Sequence, residues 1–338
     1  MVRVGLIGLG FMGRMHYATY EKLPGAQVVA IADADERRAR GDLSGGWGNI
    51  EGAGIDKLPM DRIRGTTDFS ELIGWEDVDL VDICVPTPAH VDLAVKALQA
   101  GKHVLCEKPL ARTSAEARQI AEAARQARGL FMPAMCMRFW PQWKWLKEAV
   151  TDGRYGKVLA ATFRRVGQMP AGWFSNGKLS GGALLDLHIH DTDFIYYLFG
   201  KPSAVVSSGY TKTSGEIDHI VTQYIYDGDG KPPMVYAEGG WCLADGFGFS
   251  MRYTVNFEKA TADFDIGREN PLIVSTGGKA EPVSVEGADG YEGELAYFID
   301  CIANNRKPTI VTADDAVASI EIVEAEGKSV TSGQRVTL

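Results

Sequence analysis

VRVGLIGLGFMGRMHYATYEKL, residues 2–23, decides the fold at the N-terminus. Val2–Ile7 is an apolar run of strand length, and Gly8, Gly10 and Gly13 follow in G-x-G-x-x-G spacing before a helical pattern begins. The motif alone is weak, but between a strand and a helix it reads as a dinucleotide-binding turn. The first glycine permits the tight turn, the second lets a pyrophosphate approach the backbone, and the third lets helix and strand pack closely. The phosphates then meet free N–H groups at a helix N-terminus. Phe11 and Met12 complete the loop.

The next run, AQVVAIAD (residues 26–33), ends in Asp33, 20 residues beyond Gly13. A carboxylate there accepts from the ribose hydroxyls and repels a 2'-phosphate, which favours NAD over NADP. Arg37 and Arg38, one turn on, weigh the other way, and Asp33 also suits a helix N-cap. Residues 41–65 are glycine-rich without a sustained period and read as a long connection, either covering the adenosine or running over the surface. Regular βα alternation then resumes. DVDLVDICVP (77–86) and KHVLCEKP (102–109) read as strands, and PAHVDLAVKALQAG (88–101) as a helix stopped by Gly101. Thr113 and Glu116 form a capping box for a further helix, and LFMPAMCMRFW (130–140) holds a last strand. The expected N-terminal architecture is a Rossmann doubly wound parallel sheet of about six strands. Ligands meet such sheets at the carboxyl ends of the strands, where Pro86–His90 and Glu107–Pro109 fall.

A chain of 338 residues suggests two domains, here 1–137 for the cofactor and 138–338 for substrate and oligomerisation, with late helices able to pack back on the first. The formal net charge of -9 argues against nucleic acid as a partner. No window approaches a membrane span. An apolar run starting at Val2 leaves no space for a signal peptide. Five scattered cysteines without a C-x-x-C pair argue against a disulfide framework or zinc ribbon. Together these features suggest a cytoplasmic enzyme.

GGALLDLHIHDTDFIYYLFGKP (181–202) concentrates histidines and acids. As a strand it would align Asp186, His188 and His190, a possible metal set. The apolar stripe through Leu187, Phe194, Leu198 and Phe199, stopped by Gly200 and Pro202, favours about five turns of helix. Asp186 and His190 then share a face and His188 turns away. No metal is expected. After Gly200, short alternating runs with turn signals indicate an α+β domain with a large open, mainly antiparallel sheet. DGDGKPP (227–233) reads as a hairpin loop. Both alternating sets of these strands carry apolar or aromatic residues, among them Tyr224, Ile225, Tyr226, Val235, Tyr236, Phe247, Phe249, Tyr253, Val255 and Phe257. A homodimer or homotetramer through the outer face is therefore expected. The tryptophans of WPQWKW (140–145) and Trp173 suit either sugar stacking or packing, and Arg138, Arg164 and Arg165 either substrate contact or salt bridges.

Several segments resemble the Gfo/Idh/MocA family of oxidoreductases, named for glucose–fructose oxidoreductase and inositol dehydrogenase. They are GLGFMG (8–13), PTPAHVDLAVKALQAGKHVLCEKPL (86–110), GGALLDLHIHDTD (181–193) and GYEGELAYFIDCIANNRKP (290–308), in family order along the whole chain. The resemblance implies a hydride transfer between a nicotinamide cofactor and a secondary hydroxyl or ketone of a sugar, polyol, inositol or sugar derivative. It implies that Lys108 meets both the nicotinamide and the substrate hydroxyl, and that Asp186 and His190 are the acid and histidine of the substrate domain. Glu107 and Pro109 complete the E-K-P motif, with a cis peptide before Pro109 as in some relatives. Pro86, Thr87, Pro88 and His90 correspond to the cofactor cleft. His188 stands where many relatives have glycine. The expected catalytic set is Lys108, His190 and Asp186, with substrate contacts from these and from Arg138, Arg165 and Trp173. Two other readings stay open: an NAD-retaining glycosidase working by transient oxidation, and a non-catalytic NAD- and sugar-binding regulator.

Overall fold

The computed structural model describes residues 1–45 and 55–338. It divides at Cys136/Met137, but not into two consecutive stretches. Unit 1 comprises Met1–Cys136 and Asp289–Val317, and unit 2 comprises Met137–Ala288 and Ala318–Leu338. The second half of the chain is therefore not all one domain, because residues 289–317 complete the first.

In chain order, unit 1 begins β1 (Val2–Ile7), α1 (Phe11–Tyr20), β2 (Ala26–Ala32), α2 (Glu36–Ala39), β3 (Arg64–Thr66) and α3 (Phe69–Gly74). It continues β4 (Leu80–Ile83), α4 (His90–Gln99), β5 (His103–Glu107), α5 (Ser114–Gln126) and β6 (Phe131–Ala134). The six strands pair in parallel in the order β3-β2-β1-β4-β5-β6. This is the doubly wound order whose ligand crevice lies where the strand order reverses, between β1 and β4. β4 and β6 are buried at every position, as strands covered on both faces must be. The Thr113–Glu116 capping box forms as the sequence suggests. The long connection is anchored at both ends. Leu43 N–H donates to the Asp56 carbonyl, Asp42 bridges Lys57, and Leu43 and Leu58 are buried. Any covering of the adenosine by residues 46–54 lies outside the described residues.

Unit 2 contains α6 (Pro141–Asp152), β7 (Val158–Val166), α7 (Gly177–Ser180), a π-helical turn at Leu184–His188, α8 (Ile189–Phe199) and strands β8 (Ala204–Tyr210) and β9 (His219–Ile225). The strands β10 (Met234–Gly240), β11 (Ser250–Phe257), β12 (Ala260–Asp265), β13 (Leu272–Thr276) and β14 (Lys279–Pro282) follow. The chain then supplies α9 (Gly290–Ala303) to unit 1. α10 (Ala313–Ser332) begins in unit 1 and runs on into unit 2, where β15 (Val336–Thr337) ends the sheet.

The nine strands are ordered β14-β13-β12-β11-β7-β10-β9-β8-β15. All pairs are antiparallel except β7 with β10. β11 and β12 pair antiparallel across a tight turn. On the covered face Trp143 is fully buried, with Phe194, Tyr253 and Phe163 rings at 4.7, 5.3 and 5.8 Å. Trp143 and Trp145 are thus core residues and do not offer a stacking surface. Tyr224, Val235, Tyr253, Val255 and Phe257 also lie on this side. The outer face is more mixed than the sequence suggests. It keeps Val206, Val221 and Met234 exposed, but also the Arg164–Glu238 pair. Among the described residues, no helix is long and apolar enough to cross a membrane.

Candidate active site

In unit 1 the chain leaves β1 through Gly8, whose φ of 91° is left-handed and whose Cβ would sit 2.7 Å from the Cys84 carbonyl oxygen. At Gly13 a Cβ would fall 1.9 Å from the Gly8 carbonyl oxygen, so only glycine lets α1 approach the loop. Gly10 differs from both. Nothing lies within 4 Å of where its Cβ would be, and as N-cap of α1 it offers no side chain to the first-turn amides. An open cradle over uncapped N–H groups fits the pyrophosphate of a dinucleotide.

Asp33 at the end of β2 is buried, with Oδ2 accepting from Leu9 N–H at 2.7 Å and Oδ1 from Asp35 N–H at 2.9 Å. It therefore braces the glycine loop. The N-cap of α2 is Asp35, which excludes that role for Asp33. Arg38 lies 3.8 Å from the Asp33 carboxylate, while Arg37 is exposed and turned to Asp35.

The loops after β4 and β5 are joined by His90. Its ring, without exposed surface, lies between the carbonyl oxygens of Val85 at 2.8 Å and Pro109 at 3.0 Å. Thr87 is buried as well. These two side chains are turned into the protein and brace the loops, while Pro86 and Pro88 are the exposed members of the segment. The Lys108–Pro109 peptide is cis. Lys108 is partly exposed, and its N–H donates to Glu107 Oε2 at 3.0 Å. Glu107 itself is buried rather than open to a cofactor, with Oε1 3.2 Å from His16 Nε2.

In unit 2 the helix expected in the segment 181–202 ends at Phe199, and its entry is a π-helical turn over Leu184–His188. Such turns recur at functional sites because they re-aim side chains within an otherwise regular helix. Asp186 lies within it, buried, and His190 lies just beyond it, partly exposed. His188 faces inward, as a helix requires. It is fully buried, with Nε2 3.3 Å from Tyr224 Oη and 3.6 Å from Glu326 Oε1. The glycine missing from this segment reappears opposite it, because a Cβ on Gly239 would fall 2.5 Å from His188 Nδ1.

Arg138 and Arg165, expected to meet substrate, are paired inside the unit. Arg138 donates from Nε and Nη2 to the two carboxylate oxygens of Asp193 at 2.9 and 2.7 Å, and Ser319 Oγ also donates to Asp193 at 2.9 Å. Arg165 donates likewise to Asp191 at 2.9 and 3.3 Å. A buried guanidinium needs a carboxylate, and α8 supplies one to each. Trp173 is half-buried and stacks on Phe174 at 4.4 Å.

Sequence reasoning missed His16, Asp82, Glu294, Asp191 and Asp193. A signal existed for two of them. Asp82 interrupts an apolar strand, and Glu294 interrupts the apolar face of a helix; a charged residue at a core position demands a partner.

Comparison with known proteins places these motifs. A family model described as "Oxidoreductase family, NAD-binding Rossmann fold" matches residues 2–135, and one described as "GFO/IDH/MocA C-terminal domain" matches residues 143–263. The chain belongs to the Gfo/Idh/MocA oxidoreductase family. It is 28% identical to a myo-inositol 2-dehydrogenase of Thermotoga maritima, over 100% of this chain and 98% of that protein. It is 27% identical to a 1,5-anhydro-D-fructose reductase of Ensifer adhaerens, over 99% and 98%. Among solved structures, a levoglucosan dehydrogenase in complex with NADH and levoglucosan superposes with a TM-score of 0.83 at 23% identity, over 99% of each chain. That last likeness concerns the fold. Gfo/Idh/MocA membership makes this chain an NAD-binding oxidoreductase.

Proposed function

We propose that this Gfo/Idh/MocA protein is an NAD-dependent dehydrogenase or reductase acting on a secondary CH–OH group of a sugar, polyol, inositol or sugar derivative. The observation that carries the reading is which basic side chains stay accessible. His16, His90 and His188 are fully buried, and Arg138 and Arg165 nearly so, whereas Lys108 and His190, one in each family motif, keep exposed surface. The names of the dehydrogenase relatives supply the substrate class.

The roles follow from the chemistry. When bound, the nicotinamide takes or returns the hydride. Oxidising a carbinol also requires removing its hydroxyl proton, and the His190 imidazole accepts it. Asp186 orients that imidazole and favours its protonated form once it has charged. The Lys108 ammonium stabilises the oxygen that gains negative character. The Gly8–Gly13 loop holds the pyrophosphate, and Asp33, whose oxygens keep lone pairs beyond those given to Leu9 and Asp35, accepts from the ribose.

We read the outer face of the nine-stranded sheet as a homodimer surface and the protein as cytoplasmic, in keeping with the scattered cysteines, which form no disulfide among the described residues. The test is a panel of sugars and polyols with NAD and NADP, followed at the nicotinamide absorbance. A polyol or sugar should be oxidised with NADH formed, and Lys108→Ala should lower turnover by about 10²-fold. Release of sugar from a glycoside without net NADH would overturn the dehydrogenase reading.

A further inference from the structure

Three carboxyl groups surround one imidazole in the interior of unit 1. His16 on α1 places Nδ1 2.8 Å from Asp82 Oδ2 on β4 and Nε2 3.2 Å from Glu107 Oε1 on β5. Tyr20 Oη donates to Asp82 at 3.0 Å, and Cys84 Sγ lies 3.4 Å from His16 Nδ1. An imidazole facing a carboxylate at each nitrogen is held as an imidazolium. Burial works against that charge, yet Asp82 and Cys84 keep the His16 pKa well above its ordinary value. One positive charge then stands against Asp82 and Glu107.

Glu294 enters this cluster from α9 as a third carboxyl. It has no exposed surface, and its ligand atom and those of His16 and Glu107 all lie within 4.8 Å of one another. Neither of its oxygens has a hydrogen-bond partner. An ionised carboxylate so placed would be desolvated, without a donor and beside a second carboxylate. A protonated one can use Glu107 as its acceptor. Burial first, and then the Glu107 charge, push the Glu294 carboxyl well above the usual range. The reaction steps above give Glu294 no part.

We propose that Glu294 is a neutral carboxylic acid whose hydroxyl donates to the Glu107 carboxylate, completing a buried chain Asp82–His16–Glu107–Glu294. The chain ties α1, β4, β5 and α9 together beneath the E-K-P loop. It fixes the side chain whose Oε2 accepts the Lys108 N–H. Glu294 is thereby a positioning residue for Lys108, acting through Glu107. That consequence rests on the role proposed for Lys108; the protonation state does not.

Infrared difference spectroscopy of the full chain at neutral pH tests the proton directly. Wild type minus Glu294→Gln should show the C=O band of a carboxylic acid, shifted in D2O. The same band should appear for Lys108→Ala minus Lys108→Ala/Glu294→Gln, so a wrong role for Lys108 leaves this result untouched. A difference confined to carboxylate stretches overturns the proposal. So does a stoichiometric divalent metal in the purified protein that Glu294→Gln loses. Steady-state kinetics test the positioning. Glu294→Leu should lower kcat by about tenfold or more with little change in KM, and Glu294→Gln, which still donates, should recover most of that loss. Equal damage in both variants, or none in Glu294→Leu, refutes the positioning role. Should Glu294→Leu not fold, the infrared comparison still decides whether the acid is neutral.

Discussion

Unit 1 gathers three carboxyl groups around one imidazole, whereas unit 2 gives each buried aspartate of α8 its own arginine. In unit 2, Asp191 with Arg165 and Asp193 with Arg138 are charge-matched and hydrogen-bonded through both carboxylate oxygens. In unit 1 one imidazole faces three carboxyl groups, so the charges stay unmatched even with a proton on Glu294. Matched pairs brace a frame through paired charges, while an unmatched cluster links its geometry to protonation. The matched frame carries the turn that presents His190. The unmatched cluster carries the loop that presents Lys108.

The largest effect should come from breaking a matched pair. Asp193→Asn leaves Arg138 buried without its counter-charge and should cost about 3–5 kcal/mol in denaturant unfolding. Replacing both partners by apolar residues should recover much of that loss, and failure to do so would mean that the pair is not the source of the cost.

The next contrast lies within one segment. His190→Ala should lower kcat by about 10²-fold, or ~2.7 kcal/mol of transition-state stabilisation, with little change in NADH affinity. His188→Ala should mainly lower stability, since His188 packs against Tyr224 and Glu326. Equal kinetic damage at both positions would break the separation of active face from core.

Gly239→Ala tests the fit behind His188. Its Cβ has no room beside the imidazole, and overpacking of this kind should cost about 1–3 kcal/mol. An unchanged melting temperature would show that the ring gives way freely.

The last prediction concerns pH and separates the two clusters. A carboxyl whose folded pKa is raised keeps its proton in the native state after the unfolded chain has released it. Stability therefore falls as pH rises above about 4.3, by up to ~1.4 kcal/mol per unit, until the folded pKa is reached. His16 acts in the same direction above about 6.5. Glu294→Gln should remove one proton's share of this slope between pH 5 and 8, whereas Asp193→Asn should shift the whole curve downward. A wild-type slope retained by Glu294→Gln would place the proton elsewhere.

Much of the fold was legible because its signals are local. The glycine spacing, the acid ending β2, the capping box at Thr113 and the helix that carries Asp186 and His190 each lie within one or two adjacent elements. Arg138 and Arg165 misled because an exposed arginine aimed at a ligand and a buried arginine paired with an aspartate have the same sequence appearance. The π-turn at Leu184–His188 also left no mark, since the apolar stripe tolerates one wider turn.

The sequence by itself determined the alternation of strands and helices, the dinucleotide turn and the two motifs that hold Lys108 and His190. Periodicity and turn chemistry are short-range properties of the chain. Only the tertiary structure decided which buried polar groups meet. His16 meets Asp82 across 66 residues, Arg138 meets Asp193 across 55, and Thr192 meets Glu326 across 134. Desolvation makes such partners obligatory but leaves their position in the sequence unconstrained. Any element that brings a carboxylate or a donor to the right place in the core satisfies the requirement.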